Sequence, residues 1–180
     1  MESKLRTLGV LHARSFSVEL DEVTRGEGTT RRVVIRHPSA VVVVPVLPDG
    51  RTLMVTQYRY AMGRETIEFP AGKLDPGEEP LTAAIRELEE ETGYRAGRME
   101  PLLPFAPSVG YSTEIIHGFA AYDLTPAGTR PDEDEIIGVR EIGFDELKAM
   151  AVRGEIIDGT TMLTLAMYEW LISGERGPGR

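Results

Sequence analysis

GKLDPGEEPLTAAIRELEEETGY, Gly72 to Tyr94, is the stretch on which the reading of this 180-residue chain turns. Its first part, with Gly72, Asp75, Pro76 and Gly77, holds residues that favour turns. From Pro80 the residues suit a helix: Leu81, Ala83, Ala84, Ile85, Arg86 and a run of glutamates. Gly93 then offers a C-terminal stop. Leu81, Ile85, Leu88 and Thr92 recur at helical spacing and are expected to face a core. Glu87, Glu90 and Glu91 stand at i, i+3 and i+4 and share a second face, roughly 120° around from the first. Like charges so placed repel one another and weaken an isolated helix. A hard divalent cation reverses the sign, because Mg²⁺ takes oxygen ligands, binds through one or two carboxylates and uses waters and phosphates for the rest. On spacing alone, a solvated acidic helix face remains the other reading.

Upstream, Ser15 to Val23 alternates apolar and polar residues, Arg25 to Gly28 turns the chain, and Thr30 to Arg36 returns, which predicts a β-hairpin within residues 1–37. Residues 1–15 show no clear pattern. Ala40 to Leu47, rich in valine, predicts a strand buried on both faces. Leu53 to Tyr60 and Thr66 to Phe69 are further strands. Downstream, Glu100 to Phe105 is extended, Glu114 to Leu124 and Glu135 to Ile142 read as strands, and Phe144 to Arg153 and Asp158 to Ser173 as helices. Asp145 is the expected cap of the first of these helices, and Met162, Leu165, Ala166, Tyr168, Trp170 and Leu171 the expected core of the second. Strands, helix, strands, helices in that order argue an α+β chain or an α/β sandwich and not regular βαβ alternation.

Composition narrows the chemistry. Hydrophobic residues make 41% of the chain and charged ones 27%, ordinary for one globular domain with a small extension. No cysteine is present, which removes disulfides, thiolate metal sites and cysteine nucleophiles. The net charge of −9 and the lack of a basic stripe argue against nucleic acid as a partner. No segment approaches a membrane span and the N-terminus has no signal-peptide pattern, so a cytoplasmic location is expected. His12, His37 and His117 lack metal-ligand spacing.

The order Gly72, five residues, Glu78, seven residues, Arg86-Glu87-Leu88, one residue, Glu90-Glu91, one residue, Gly93-Tyr94 resembles the Nudix box at every fixed position. The resemblance implies an α+β fold, the α/β/α Nudix sandwich, with a mixed β-sheet between helices and an N-terminal β-hairpin extension. Residues 1–37 would be that extension, for dimerisation and part of the substrate pocket, and residues 38–180 the hydrolase domain. QYRY (57–60), ETIEFPAG (65–72) and APSVGYST (106–113) resemble the ADP-ribose pyrophosphatases of the family, although Val109 stands where a proline is expected.

That likeness implies cleavage of ADP-ribose to AMP and ribose 5-phosphate with Mg²⁺ or Mn²⁺, two or three ions once substrate is bound. It implies Glu87, Glu90, Glu91 and the Ala71 carbonyl as metal ligands. Arg59 would grip the diphosphate, and Glu68 would stand near metal and substrate. Ser108, in the loop over the terminal ribose, and Glu114 would be substrate contacts. Glu135, or Glu133 as its alternative, would be the loop base, with Glu90 also a candidate in catalysis. Arg86 would orient the carboxylates, and Glu78 would support them. The implied partner is a small nucleoside diphosphate sugar and a second copy of the chain, with no nucleic acid and no membrane. ADP-glucose, GDP-mannose, NADH and FAD are alternative substrates, and a non-catalytic nucleotide-binding module is the reading from another class.

Overall fold

The computed structural model describes residues 1–128 and 136–173. They fall into two compact units, one of Met1–Ser39 with Phe105–Ile116 and one of Ala40–Pro104 with the residues from His117 onward.

In the first unit, β2 (Ser17–Arg25) and β3 (Gly28–Arg36) form the expected hairpin, antiparallel from Ser17↔Arg36 to Arg25↔Gly28. Gly26 makes the turn at φ 58°, a left-handed conformation that glycine adopts without a Cβ clash. Residues 4–12 add a strand that the pattern does not announce, β1 (Lys4–His12), paired antiparallel to β2. Irregular register at Lys4/Arg6 and Thr7/Gly9 breaks the two-residue period there, so apolar and polar positions lose their alternation. Residues 105–116 join this unit. The Phe105↔Ile116 bridge closes the segment, the Ile35 N–H donates to the Tyr111 carbonyl at 2.7 Å, and the Thr113 N–H donates to the Ile35 carbonyl at 3.0 Å.

The second unit is α+β. Its strands are β4 (Ala40–Pro45), β5 (Arg51–Arg59), β6 (Arg64–Glu68), β7 (Ala71–Lys73), β8 (Tyr94–Arg95), β9 (Arg98–Pro101), β10 (Ile116–Tyr122), β11 (Thr125–Pro126) and β12 (Ile136–Gly143). They run β7-β4-β10-β9, β12-β5-β6 and β11-β8. The helices are α1 (Pro80–Thr92), α2 (Phe144–Val152) and α3 (Gly159–Tyr168). β4 is buried along its whole length, as its valines require, and both α1 and α3 pack on it. Val41 and Val43 meet Ala83, Ala84 and Leu88 of α1 in a core shared with Leu53, Phe119 and Ala121.

Three expectations are corrected. The buried side of α1 is Ala83, Ala84, Leu88 and Thr92, while Leu81 and Ile85 are exposed. At roughly 100° per residue, Glu87 projects between Ala83 and Ala84, and Glu91 beside Ala84. The small alanines thus let the helix turn Glu87 and Glu91 toward β7, while Glu90 stays exposed. In α2 the cap position is Gly143, and Asp145 lies inside the first turn, 2.8 Å from Lys148. In α3, Asp158 does cap the helix, accepting from the Thr161 N–H at 2.7 Å. Leu165, Met167 and Tyr168 are buried there, but Met162, Trp170 and Leu171 are exposed. The chain widens to a π-helical turn at Glu169–Ser173, which defeats extrapolation at the α-helical angle. Thr161 occupies the buried position beside Met162, its hydroxyl accepting from the Phe69 N–H at 3.0 Å. Among the described residues no helix is long and apolar enough to cross a membrane.

Candidate active site

Arg86 is the hub of the acidic helix. Its Nε and Nη2 bind both oxygens of Glu78 at 3.0 and 2.9 Å, and Nη2 also reaches the Lys73 carbonyl at 3.1 Å. Nη1 reaches Glu87 at 2.7 Å and Glu90 at 3.1 Å. One guanidinium therefore ties the loop before α1, the end of β7 and two carboxylates of α1. The Arg86 fork, helped by the Asp75 N–H, holds the Glu78 carboxyl down at about 2. Arg86 thus contacts two of the carboxylates, Glu87 and Glu90, that it was expected to orient.

Glu87 and Glu91 are the sheltered pair, whereas the Glu90 side chain is 58% exposed. A Cβ built on Gly72 would lie 2.0 Å from the Glu87 carboxyl carbon, so glycine is required for the carboxylate to rest on that backbone. Glu91 receives the Ala71 N–H at 2.9 Å. Burial, with Glu87 as a like charge nearby, pushes the Glu91 carboxyl up to about 8. Burial also raises Glu87, against the opposing pull of Arg86.

Beyond them, Arg59 and Glu68 pair with each other. Nε and Nη2 of Arg59 take the two Glu68 oxygens at 2.8 and 2.5 Å, and the Thr66 hydroxyl lies 2.6 Å from the Glu68 Oε1. The residues on this face follow from the β5/β6 register, in which Gln57 opposes Thr66 and Val55 opposes Glu68. Arg59, Met62, Thr66, Glu68, Asp158 and Gly159 help line a cavity of about 300 Å³. Sequence reasoning made Asp158 only the first residue of a helix and Thr66 only the first residue of a short strand. Asp158 lies outside the acidic helix and its flanking motifs, and Thr66, inside ETIEFPAG (65–72), is an uncharged residue to which that likeness attached no part, so only the fold brings the two to one cavity.

Ser108 and Glu114 lie in the first unit. The Ser108 carbonyl closes the turn by accepting from the N–H groups of Tyr111 and Ser112, at 3.2 and 2.9 Å. Glu114 pairs with His37 Nδ1 at 3.2 Å. Glu133 and Glu135 lie outside the described residues. Among those described, no three His, Cys, Asp or Glu side chains are grouped to hold a metal ion on their own. The donor set nevertheless fits a hard cation. Glu87 and Glu91 are neighbouring sheltered carboxylates, and Mg²⁺ needs only one or two such groups when waters and phosphates complete its shell.

The chain is similar to known proteins over most of its length. The family model of the NUDIX domain matches residues 36–159. A methanol dehydrogenase activator of Bacillus methanolicus is 36% identical over 167 residues, 91% of this chain and 90% of that protein. An ADP-ribose pyrophosphatase of Bacillus subtilis is 39% identical over 146 residues, 80% of this chain and 78% of that protein. Among solved structures, an ADP compounds hydrolase superposes with a TM-score of 0.80 at 25% identity, covering 96% of both chains.

Proposed function

The chain belongs to the NUDIX domain family, and from that membership we propose that it hydrolyses the pyrophosphate bond of ADP-ribose to AMP and ribose 5-phosphate. The observation that carries the reading is the sheltered carboxylate pair, Glu87 resting on Gly72 and Glu91 on the Ala71 N–H. When bound, a divalent cation, Mg²⁺ or Mn²⁺, two or three ions with substrate, would supply charge neutralisation of the diphosphate and a more acidic water. Glu87, Glu91 and the Ala71 carbonyl would hold that cation, with Glu90 as a further or bridging ligand. Arg86 keeps the carboxylates in place.

Arg59 binds the diphosphate through the guanidinium edge that Glu68 leaves open. Glu135, or Glu133 in its place, takes the proton of the attacking water. A new phosphorus–oxygen bond forms, the bridging bond breaks, and the leaving phosphate departs with its electron pair. Ser108 and Glu114 contact the sugar. The hydrolase domain spans residues 38–180, and the extension of residues 1–37 pairs two copies into a homodimer in the cytoplasm. Exposed Leu5, Val10, Leu11 and Val33 on the N-terminal sheet support that pairing.

A panel of ADP-ribose, ADP-glucose, GDP-mannose, NADH and FAD with Mg²⁺ tests the assignment. ADP-ribose is expected to show the highest kcat/KM. A preference for a guanine or hexose substrate would replace it, and micromolar binding without turnover of any of them would favour a non-catalytic module.

A further inference from the structure

Glu68 is 5% exposed, and a carboxylate so buried is costly unless paired and hydrogen-bonded. Its partners are the Nε–Nη2 edge of Arg59 and the hydroxyl of Thr66, itself 5% exposed. That hydroxyl has two acceptors in reach, the Glu68 Oε1 at 2.6 Å and the Gln57 carbonyl at 3.1 Å. It carries one proton, and the shorter contact to an ionised oxygen takes it. Oε1 is then shared between Thr66 and the Arg59 Nε at 2.8 Å. The arrangement follows from the strand, because residues two apart point to the same face and Arg59 shares that face on the neighbouring strand. Among the described residues no acceptor is bonded to the Arg59 Nη1, and the side chain is 45% exposed.

We propose that Thr66 is a positioning residue for the substrate. Its hydroxyl fixes Glu68, Glu68 fixes one edge of Arg59, and the other edge is thereby aimed at the diphosphate oxygens. This rests on the reading that Arg59 binds a diphosphate. A threonine that merely fills a strand position would act through shape alone, and the two roles separate by experiment.

Thr66→Val keeps the branched shape and removes the hydroxyl, and Thr66→Ser keeps the hydroxyl. With ADP-ribose and Mg²⁺, Thr66→Val is expected to raise KM about tenfold with kcat within about twofold, the effect of one charge-assisted hydrogen bond. Thr66→Ser is expected to stay within about threefold of the parent chain. In an Arg59→Lys background, Thr66→Val is expected to change KM by less than about twofold, because the fork it orients is gone. The same variants are titrated with inorganic pyrophosphate and Mg²⁺ by calorimetry, which needs no turnover. If ADP-ribose is not hydrolysed but pyrophosphate binding shows the same pattern, the substrate reading falls and the role of Thr66 stands. Unchanged KM and pyrophosphate affinity in Thr66→Val would overturn the proposal. So would a loss that persists in full in the Arg59→Lys background, or one that serine fails to restore. Should Thr66→Val not fold, Thr66→Ala is read against the same outcomes.

Discussion

Glu91 shows what a single side chain contributes. In the cation-free protein its carboxyl stays protonated up to about pH 8, whereas the unfolded chain releases that proton near 4.5. Between those values the folded state holds the extra proton, so this group makes stability fall as pH rises from about 4.5 to 8. Glu91→Gln is neutral throughout and still accepts the Ala71 N–H. Its melting temperature at pH 8 without divalent cation is expected to exceed that of the parent chain by about 3 °C or more. Added Mg²⁺ is expected to stabilise the parent chain and leave Glu91→Gln unmoved. Melting curves from pH 5 to 8, with and without Mg²⁺, check both, and hydrolysis surviving with unchanged metal dependence would remove Glu91 from the ligands. For the loop base, Glu135→Gln is expected to lose about 10²-fold or more in kcat, and Glu133→Gln far less. A larger loss in Glu133→Gln reverses the order. The box carboxylates and Arg86 stood out in the sequence because a fixed spacing marks them, and Arg59 because QYRY (57–60) resembles a stretch of the same family. The Thr66 contact was not, since residues two apart on a strand share a face whether or not they bond, and only the pairing of β5 with β6 sets Arg59 on that face beside them.

At the scale of elements, α1 and the β7 segment that precedes it work as one piece. Periodicity placed α1 correctly from Pro80 to Thr92 yet misjudged its rotation. Leucine and isoleucine outweigh alanine in any apolar count, but here closeness of approach decides, and only Ala83, Ala84 and Gly72 permit it. Gly72→Ala is accordingly expected to displace the Glu87 carboxylate and weaken Mg²⁺ affinity about tenfold or more, with the fold kept. Calorimetric titration of Mg²⁺ together with far-ultraviolet circular dichroism checks this. Affinity equal to that of the parent chain would show that Glu87 does not need its seat on the glycine backbone. The strands β4, β5 and β6 were legible because burial on both faces and turn residues mark them. β1 was not, because its irregular register scrambles the alternation on which strands are recognised.

At the scale of the whole molecule, the N-terminal sheet is the feature on which the proposed pairing of copies rests. It leaves Leu11 and Val33 exposed on one face, with Val10 exposed on the other, and exposed apolar residues on a small sheet gain by being covered. With copies paired as proposed, Leu11→Lys combined with Val33→Lys is expected to shift the sedimentation coefficient from dimer to monomer at micromolar concentration. A parent chain already monomeric there, or a double variant that stays dimeric, would contradict the pairing. The irregular edge of this sheet has a consequence for how far such association runs. β1 is a terminal strand, its backbone pattern is interrupted twice, and Lys4 and Arg6 stand along it. Such a border is a poor template for another chain's strand. Growth by adding strands into an open ribbon is therefore disfavoured, and concentrated solutions of the protein should stay clear instead of gelling.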